Sequence, residues 1–165
     1  MAQYINNRKL HDTLVAWKSA CRAAQDEQRP NPDTPRYVAE AVMLIARRLA
    51  TKSQFCMWPW VEDMIADAML ACFKAVRLFD PTKSQNPFAY FTQVAWNAFL
   101  ARINAERKQT YLRLASWQST AVLREAELGE WAVGLNDAEA EYVRDYEEWQ
   151  VQKRSKHLPQ ASPRR

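Results

Sequence analysis

Glycine is almost missing from this chain, which has only two in 165 residues. Glycine supplies the positive φ angles of tight hairpin turns and the close backbone approach of phosphate-binding loops, so a hairpin-rich β fold and a glycine-rich nucleotide site are both disfavoured. The eight prolines stand mostly between segments of helical periodicity. The sequence therefore predicts an all-α fold.

Histidine is equally scarce, because His11 and His157 are the only two. They lie at opposite ends of the sequence, which does not indicate a Ser-His or Cys-His pair for nucleophilic catalysis. Asp63 and Asp67 are one helical turn apart and could share a metal ion, but carboxylates at this spacing more often form a solvated helix face. Nucleotide-loop, zincin and dinucleotide signatures are also missing. We therefore expect a protein that is not an enzyme and that uses no cofactor and no metal.

Cysteine occurs three times, at Cys21, Cys56 and Cys72, an odd number at wide spacing. This spacing fits neither a disulfide framework nor a metal-ligand motif, so a reducing cytoplasm is the expected compartment. Long apolar runs are missing as well. The opening "MAQYINNRKL" has no signal-peptide core, and two arginines interrupt "AVMLIARRLA". No membrane partner is expected.

Charge is distributed unevenly along the chain, although the net value is only +4. Residues 102–113 carry four basic and one acidic residue, and residues 125–148 carry nine acidic and one basic. Residues 153–165 carry five basic residues and no acidic one. Such blocks suit a protein that meets a polyanion with one part and a different partner with another.

Apolar residues recur at helical spacing along most of the chain. The expected helices cover about residues 7–28, 34–49, 60–78, 86–114 and 137–153. Thr34 with Pro35, and Asn86 with Pro87, each fit an N-cap followed by a first-turn proline. The segment 51–60, "TKSQFCMWPW", is expected to be a loop.

The third expected helix has a mixed outer face beside its apolar stripe. This face carries Glu62, Asp63, Asp67, Leu70, Phe73 and Lys74. Two interpretations stay open from the residues alone. The face is either a polar surface with two incidental apolar residues, or a docking surface in which an apolar anchor is ringed by charges.

The fourth expected helix combines a buried side with an unusual second face. The buried side is expected to hold Phe88, Phe91, Ala95, Ala98 and Phe99. The second face holds Tyr90, Gln93, Trp96, Asn97 and Leu100 and leads to Arg102, Arg107 and Lys108. Aromatic rings stack on unpaired bases, amides read base edges and cations hold phosphates. This composition suits single-stranded or melting DNA better than an intact duplex.

The order of these features resembles region 2 of bacterial sigma factors. The resemblance rests on "DMIADAMLACFKAVRLFD", a short turn and "NPFAYFTQVAWNAFLARI". "MLIARRLA" and "KSQNPFAYFTQVAWNAFLARINAERKQ" are similar to the late-transcription sigma factors of T-even-type bacteriophages, and the similarity extends over about residues 4–108. It implies a phage-type late sigma factor that binds host core RNA polymerase. Such a factor would direct recognition and melting of an AT-rich minus-ten-like promoter element.

The resemblance also implies roles for the two helix faces. Binding to the clamp helices of the largest polymerase subunit is assigned to Glu62, Asp63, Asp67, Leu70, Phe73 and Lys74. Binding of promoter DNA, especially its non-template strand, is assigned to Phe88, Tyr90, Phe91, Gln93, Trp96, Asn97, Arg102, Arg107 and Lys108. The tryptophan pair that wedges the duplex open in housekeeping sigma factors corresponds here to Val94 and Ala95. Trp96 is therefore either a displaced wedge or a core residue.

The expected organisation is a sigma-region-2-like domain over residues 1–115, followed by an acidic helical extension with a basic disordered tail over residues 116–165. The resemblance implies action in the host bacterial cytoplasm, at the nucleoid during infection. A phage coactivator or sliding clamp is a further partner to consider, although the end "HLPQASPRR" does not match the usual clamp-binding motif. The alternative is a helical polymerase-binding adaptor or anti-sigma-like regulator without DNA contacts. A small nuclease would need a metal site that the sequence does not indicate.

Overall fold

A computed structural model describes residues 5–128 and 134–157. Six helices lie within these ranges: α1 (Asn7–Asp26), α2 (Arg36–Ala50), α3 (Ser53–Cys56), α4 (Val61–Leu78), α5 (Pro87–Leu128) and α6 (Asp137–His157). The same ranges contain no strand, and the all-α fold is confirmed. None of these helices combines the length and the apolar character that a membrane crossing requires.

The helix starts follow local capping chemistry. Asn86 caps α5 as predicted, because its Oδ1 accepts a hydrogen bond from the Ala89 N–H at 3.0 Å. Asn6 caps α1 in the same way. The predicted Thr34 cap of α2 is wrong. Pro35 keeps an extended ψ of 137°, so it occupies the N-cap position itself and the helix begins one residue later.

The first compact unit, Met1–Arg102, contains α1 to α4 and the start of α5. In it, α2 packs against both α1 and α4. The fully buried side chains follow the predicted stripes and include Leu10, Leu14, Val38, Val42, Met64, Val76, Phe79, Phe91 and Phe99. Burial of each such side chain contributes roughly 1.5–3 kcal/mol, so these stripes are the main source of stability in this unit.

The segment between α2 and α4 differs from its predicted loop. Residues Ser53–Cys56 form the short helix α3, and its Phe55 is buried. The Phe55 ring packs edge-on against Phe99 with 5.0 Å between the ring centroids. This contact explains why so short a helix forms, since helices of one turn are not stable without tertiary packing.

The second compact unit, Ile103–Arg165, contains the rest of α5 and α6. The helical pattern was expected to weaken beyond Leu114, but α5 continues to Leu128. Residues 115–128 hold no glycine or proline and include three alanines, two leucines and two glutamates, which favour helix even without a clean apolar stripe. The predicted boundary at residue 115 therefore lies inside α5.

Helix α6 begins with a reciprocal capping box. The Asn136 N–H donates to Glu139 Oε2 at 3.1 Å, and the Glu139 N–H donates to Asn136 Oδ1 at 2.9 Å. The acidic helix was predicted to end at Lys153, and it extends to His157. The rest of the predicted basic tail, residues 158–165, lies outside the described residues.

The three cysteines differ in accessibility, and we expect them to differ in reactivity. Cys56 is exposed, whereas Cys21 and Cys72 are buried. Burial raises the pKa of the Cys72 thiol to about 11, and only the thiolate is reactive. Ellman's reagent should therefore react quickly with one thiol of the native protein and with all three after denaturation. A Cys56→Ser variant should lose the fast phase, and a fast phase that survives in this variant would contradict the burial of the other two thiols.

Candidate functional site

The outer face of α4 is an exposed stripe with an apolar residue near its centre. The predicted polymerase-binding residues all lie on it: Glu62, Asp63, Leu70 and Lys74 are exposed, and Asp67 and Phe73 are half-buried. Leu70 exposes 56% of its surface, whereas Met64, Ala68 and Cys72 on the other side of the helix are fully buried. On such a face the apolar anchor can supply binding energy to a partner protein, and the charges of both signs around it can fix the orientation in which the partner binds.

The start of α5 is held in place by two neighbouring segments. Asp80 Oδ1 accepts hydrogen bonds from the Thr82 hydroxyl at 2.7 Å and from its N–H at 3.0 Å, which shapes the turn after α4 and lowers the pKa of Asp80. The Phe88 N–H donates to Asn7 Oδ1 of α1 at 3.1 Å. The backbone of the first turn is therefore tied to α1, while the exposed side chains of Phe88 and Ala89 remain available to a ligand.

Phe88 and Phe91 have different environments, although the sequence assigned both to a buried side. Phe91 is completely buried, with its ring 5.9 Å from that of Phe79, so the burial prediction is confirmed for this residue. Phe88 is 41% exposed, and its predicted burial is wrong. Helical side chains lean toward the N-terminus, and those of the first turn have no preceding turn to cover them. Of these two rings, only that of Phe88 is accessible to a base.

Tyr90 and the pair Gln93–Asn97 provide polar groups on the same stretch of α5. The half-buried Tyr90 ring packs 5.2 Å from Phe79 and 5.3 Å from Phe91. Gln93 Nε2 donates to Asn97 Oδ1 at 2.9 Å, and both amides are exposed. This hydrogen bond holds the two amides side by side, with Gln93 Oε1 and the Asn97 NH₂ group left outside it. Such groups match the donors and acceptors of base edges.

Trp96 is a half-buried residue on a small aromatic and cationic platform. Its ring packs edge-on against Phe55 at 5.1 Å, and Lys52 Nζ lies 5.4 Å from the ring centroid. Cation–π contacts of this kind contribute roughly 0.5–1 kcal/mol at exposed sites. One side of Trp96 therefore supports the α3 packing, and the residue is neither a free wedge nor a fully buried core residue.

Sequence reasoning missed Lys52 and Phe55 as parts of this platform. Both lie in the segment that was predicted as a loop, more than 40 residues before Trp96. The aromatic content of "TKSQFCMWPW" was a signal that the segment packs against something. Helical periodicity could not identify the partner, because periodicity carries no information on contacts between distant segments.

Arg102 connects the two candidate surfaces. Its Nη2 lies 3.0 Å from Asp63 Oδ2, and its Nη1 lies 3.5 Å from Asp67 Oδ2. A predicted DNA-binding cation is thus paired with two carboxylates that were predicted to bind polymerase. The two aspartates bind this guanidinium within the fold, and no group of three or more His, Cys, Asp or Glu in the described ranges is arranged to hold a metal ion.

We expect the Arg102–Asp63 ion pair to contribute modestly to stability. In a double-mutant cycle of Arg102→Ala and Asp63→Ala, urea unfolding should give a coupling energy of about 0.5–1 kcal/mol that falls in high salt, because both partners are partly exposed. The Arg36–Glu40 pair, spaced i,i+4 on α2 with a 2.7 Å contact, is a matched surface control and should give about 0.3–0.5 kcal/mol. A coupling of zero for Arg102–Asp63 would mean that the pair does not join α4 to α5 in solution.

The last two predicted DNA-binding residues, Arg107 and Lys108, are exposed and belong to the second unit. The Arg107 carbonyl accepts a hydrogen bond from the Tyr142 hydroxyl at 3.2 Å. Burial is the main cause that raises the Tyr142 pKa, with the Arg107 charge opposing it. These contacts connect α5 to α6.

Comparison with known families identifies the domain that contains both surfaces. Residues 37–109 match Sigma-70 region 2, and this range includes every candidate polymerase-binding and DNA-binding residue. No curated protein matches the chain. The chain therefore contains a Sigma-70 region 2 domain, and this match supports its assignment to a sigma factor family. Sigma-70 region 2 domains bind core RNA polymerase and promoter DNA, so the match suggests both activities.

Proposed function

We propose that this protein is a bacteriophage late sigma factor. It binds host core RNA polymerase through the outer face of α4 and opens an AT-rich minus-ten-like promoter element with α5. The observation that carries the proposal is that one Sigma-70 region 2 domain presents an exposed Leu70 among charges on α4 and an exposed Phe88 on α5. The phage and late-transcription part rests on the resemblance of the segments around "MLIARRLA" and "NPFAYF".

The polymerase contact uses Leu70 as its apolar anchor. Phe73 and Lys74 lie within about one helical turn of the anchor, and Glu62 lies about two turns away on the same face. The charged residues fix the orientation in which the partner binds. Asp63 and Asp67 are paired with Arg102, so their first role is to fix α5 against α4. In this arrangement the helix that meets polymerase also orients the helix that meets DNA.

Promoter opening uses the exposed groups along α5. A non-template base that leaves the duplex stacks on Phe88, and a base on an aromatic ring gains roughly 1–3 kcal/mol. Gln93 and Asn97 contact base edges, and Trp96 with Lys52 offers a second ring beside a cation for the backbone. TA steps within an AT-rich element favour this reaction because they unstack at low cost. Phe91 supports these groups from the core.

An alternative function is favoured by two observations. Phe91 is buried and Arg102 is paired with aspartates, so two of the predicted DNA contacts have structural roles within the fold. A polymerase-binding adaptor or anti-sigma-like regulator without DNA contacts would have the same outer face on α4. It would need no exposed Phe88 and no amide pair, and for this reason we favour the sigma function.

Run-off transcription with bacterial core RNA polymerase tests the proposal. On a linear template with an AT-rich minus-ten-like element, the protein should raise the specific transcript well above the level of core polymerase alone. A matched template with the element changed to G·C pairs is the control and should give only background. If the protein binds core polymerase but yields no transcript above background on several AT-rich templates, the sigma function is wrong and the adaptor remains.

A further inference from the structure

A groove of about 450 Å³ lies between α5 and α6 in the second unit. Its volume is within the range of about 300–1,000 Å³ that ligand-binding pockets usually have. The wall on α5 is formed by Lys108, Tyr111 and Leu112, and the facing wall on α6 includes Tyr146, Val151 and Arg154. Apart from the predicted DNA contact of Lys108, the proposed sigma function assigns no role to this groove.

The floor of the groove is a pair of stacked rings whose hydroxyl groups are hydrogen-bonded. The Tyr111 and Tyr146 rings stack with 4.6 Å between centroids and 20° between planes. The Tyr111 hydroxyl donates to Glu147 Oε1 at 2.9 Å, and this hydrogen bond is the main cause that raises the Tyr111 pKa. Gln150 Nε2 donates to the Tyr146 hydroxyl at 2.8 Å. A ligand therefore meets a preformed aromatic surface, which lowers the entropic cost of binding.

The rim of the groove has exposed apolar and cationic groups. Leu112 is 54% exposed and Val151 is 66% exposed. Lys108 and Arg154 are exposed too, and within the described part of the chain neither forms an ion pair. The lining also holds one carboxylate, Glu147, so two cations and one anion give it a net positive charge. Together with the two exposed aliphatic side chains and the aromatic floor, this charge complements a segment that carries both apolar and acidic side chains.

We propose that this groove binds an acidic amphipathic segment of a partner protein. The apolar side chains of the segment lie against Leu112, Val151 and the tyrosine stack, and its carboxylates pair with Lys108 and Arg154. A nucleic acid fits less well, because residues 137–148 of α6 carry six acidic residues against one basic residue and repel a continuous polyanion. Isolated carboxylates avoid most of this repulsion.

Panning a random peptide library on the full-length protein tests the proposal. Displayed peptides of about twelve residues are long enough to hold the i, i+3, i+4 and i+7 anchors of a groove-binding helix. The enriched peptides should combine Leu, Ile or Phe with Asp or Glu. A synthetic copy of the best one should bind the wild-type protein in fluorescence anisotropy. Val151→Glu and Arg154→Glu should each weaken this binding by at least about tenfold, since each removes a complementary group and adds a repulsive charge.

Leu123→Glu is the matched control, because Leu123 is an apolar residue of α5, 58% exposed, that does not line the groove. This variant should bind the peptide like the wild type.

The proposal is wrong if no acidic consensus is enriched, or if the groove variants and the control bind the peptide equally. Displacement of the peptide by a short oligonucleotide would assign the groove to nucleic acid. A dimer that Val151→Glu dissociates in sedimentation would assign it to a second copy of the chain. The test does not depend on transcription, so its outcome is separate from that of the sigma proposal.

Discussion

Leu70→Glu is expected to weaken binding to core RNA polymerase by roughly 30- to 1,000-fold. This range corresponds to the loss of about 2–4 kcal/mol that is typical of a central interface anchor. Leu70 is 56% exposed and lies between Asp67 and Lys74 on α4. The Leu70→Glu substitution places a carboxylate at the centre of the interface, where it would lose its water without gaining a partner. Competition binding with a labelled core polymerase measures the effect. The melting temperature should change little, because the side chain is outside the core.

Val15→Glu is the matched control for this substitution. Val15 is an exposed aliphatic residue of α1, at 42% exposure, and it belongs to neither candidate surface. The control should keep wild-type affinity for polymerase. If Leu70→Glu binds polymerase as tightly as Val15→Glu does, the outer face of α4 is an ordinary solvated surface and the docking interpretation is wrong.

The two phenylalanines at the start of α5 should separate stability from promoter opening. Phe91→Ala is expected to lower the free energy of unfolding by about 3–5 kcal/mol, because Phe91 is completely buried beside Phe79 and its loss leaves a cavity. Phe88→Ala should cost less than about 1 kcal/mol, since its ring is 41% exposed. Urea unfolding of both variants measures the difference.

The effects of the two substitutions on promoter opening should have the opposite order to their effects on stability. At a temperature where both variants are folded, Phe88→Ala should bind core polymerase normally and lose roughly 5- to 150-fold in promoter opening, which corresponds to a stacking contribution of about 1–3 kcal/mol. Folded Phe91→Ala should keep most of its opening activity. The opposite pattern, in which Phe88→Ala destabilises the fold and leaves opening intact, would show that Phe88 has only a structural role.

The parts of the fold that could be predicted are those governed by local chemistry. The stripe Val38, Val42 and Ile45 identifies the buried side of α2, because 3.6-residue periodicity alone decides which residues share a face. The Asn86–Pro87 start of α5 was predictable for the same reason, since a cap depends on residues only three positions apart. The Thr34 prediction failed because Pro35 can occupy the N-cap position as well as the first turn.

The candidate site depends on contacts that sequence does not encode locally. Trp96 rests on Phe55 and Lys52, and the sequence offered no way to pair residues so far apart. The long side chain of Arg102 could extend toward solvent and DNA or turn back to α4, and periodicity does not distinguish these directions. In the sequence, Phe88 and Phe91 are equivalent members of the apolar stripe of α5. Their exposure differs because one lies in the first turn of the helix and the other lies opposite Phe79.

Permanganate footprinting of an AT-rich promoter is the most direct test of the central claim, that this domain opens promoter DNA when it is bound to polymerase. Permanganate oxidises thymines that have left the base stack, so the assay reports strand opening without requiring transcript synthesis. Core polymerase with the wild-type protein should make thymines in the minus-ten-like element reactive, and Leu70→Glu and Phe88→Ala should each suppress this reactivity. Thymines that stay unreactive while the protein is bound to core polymerase on this template would contradict the claim.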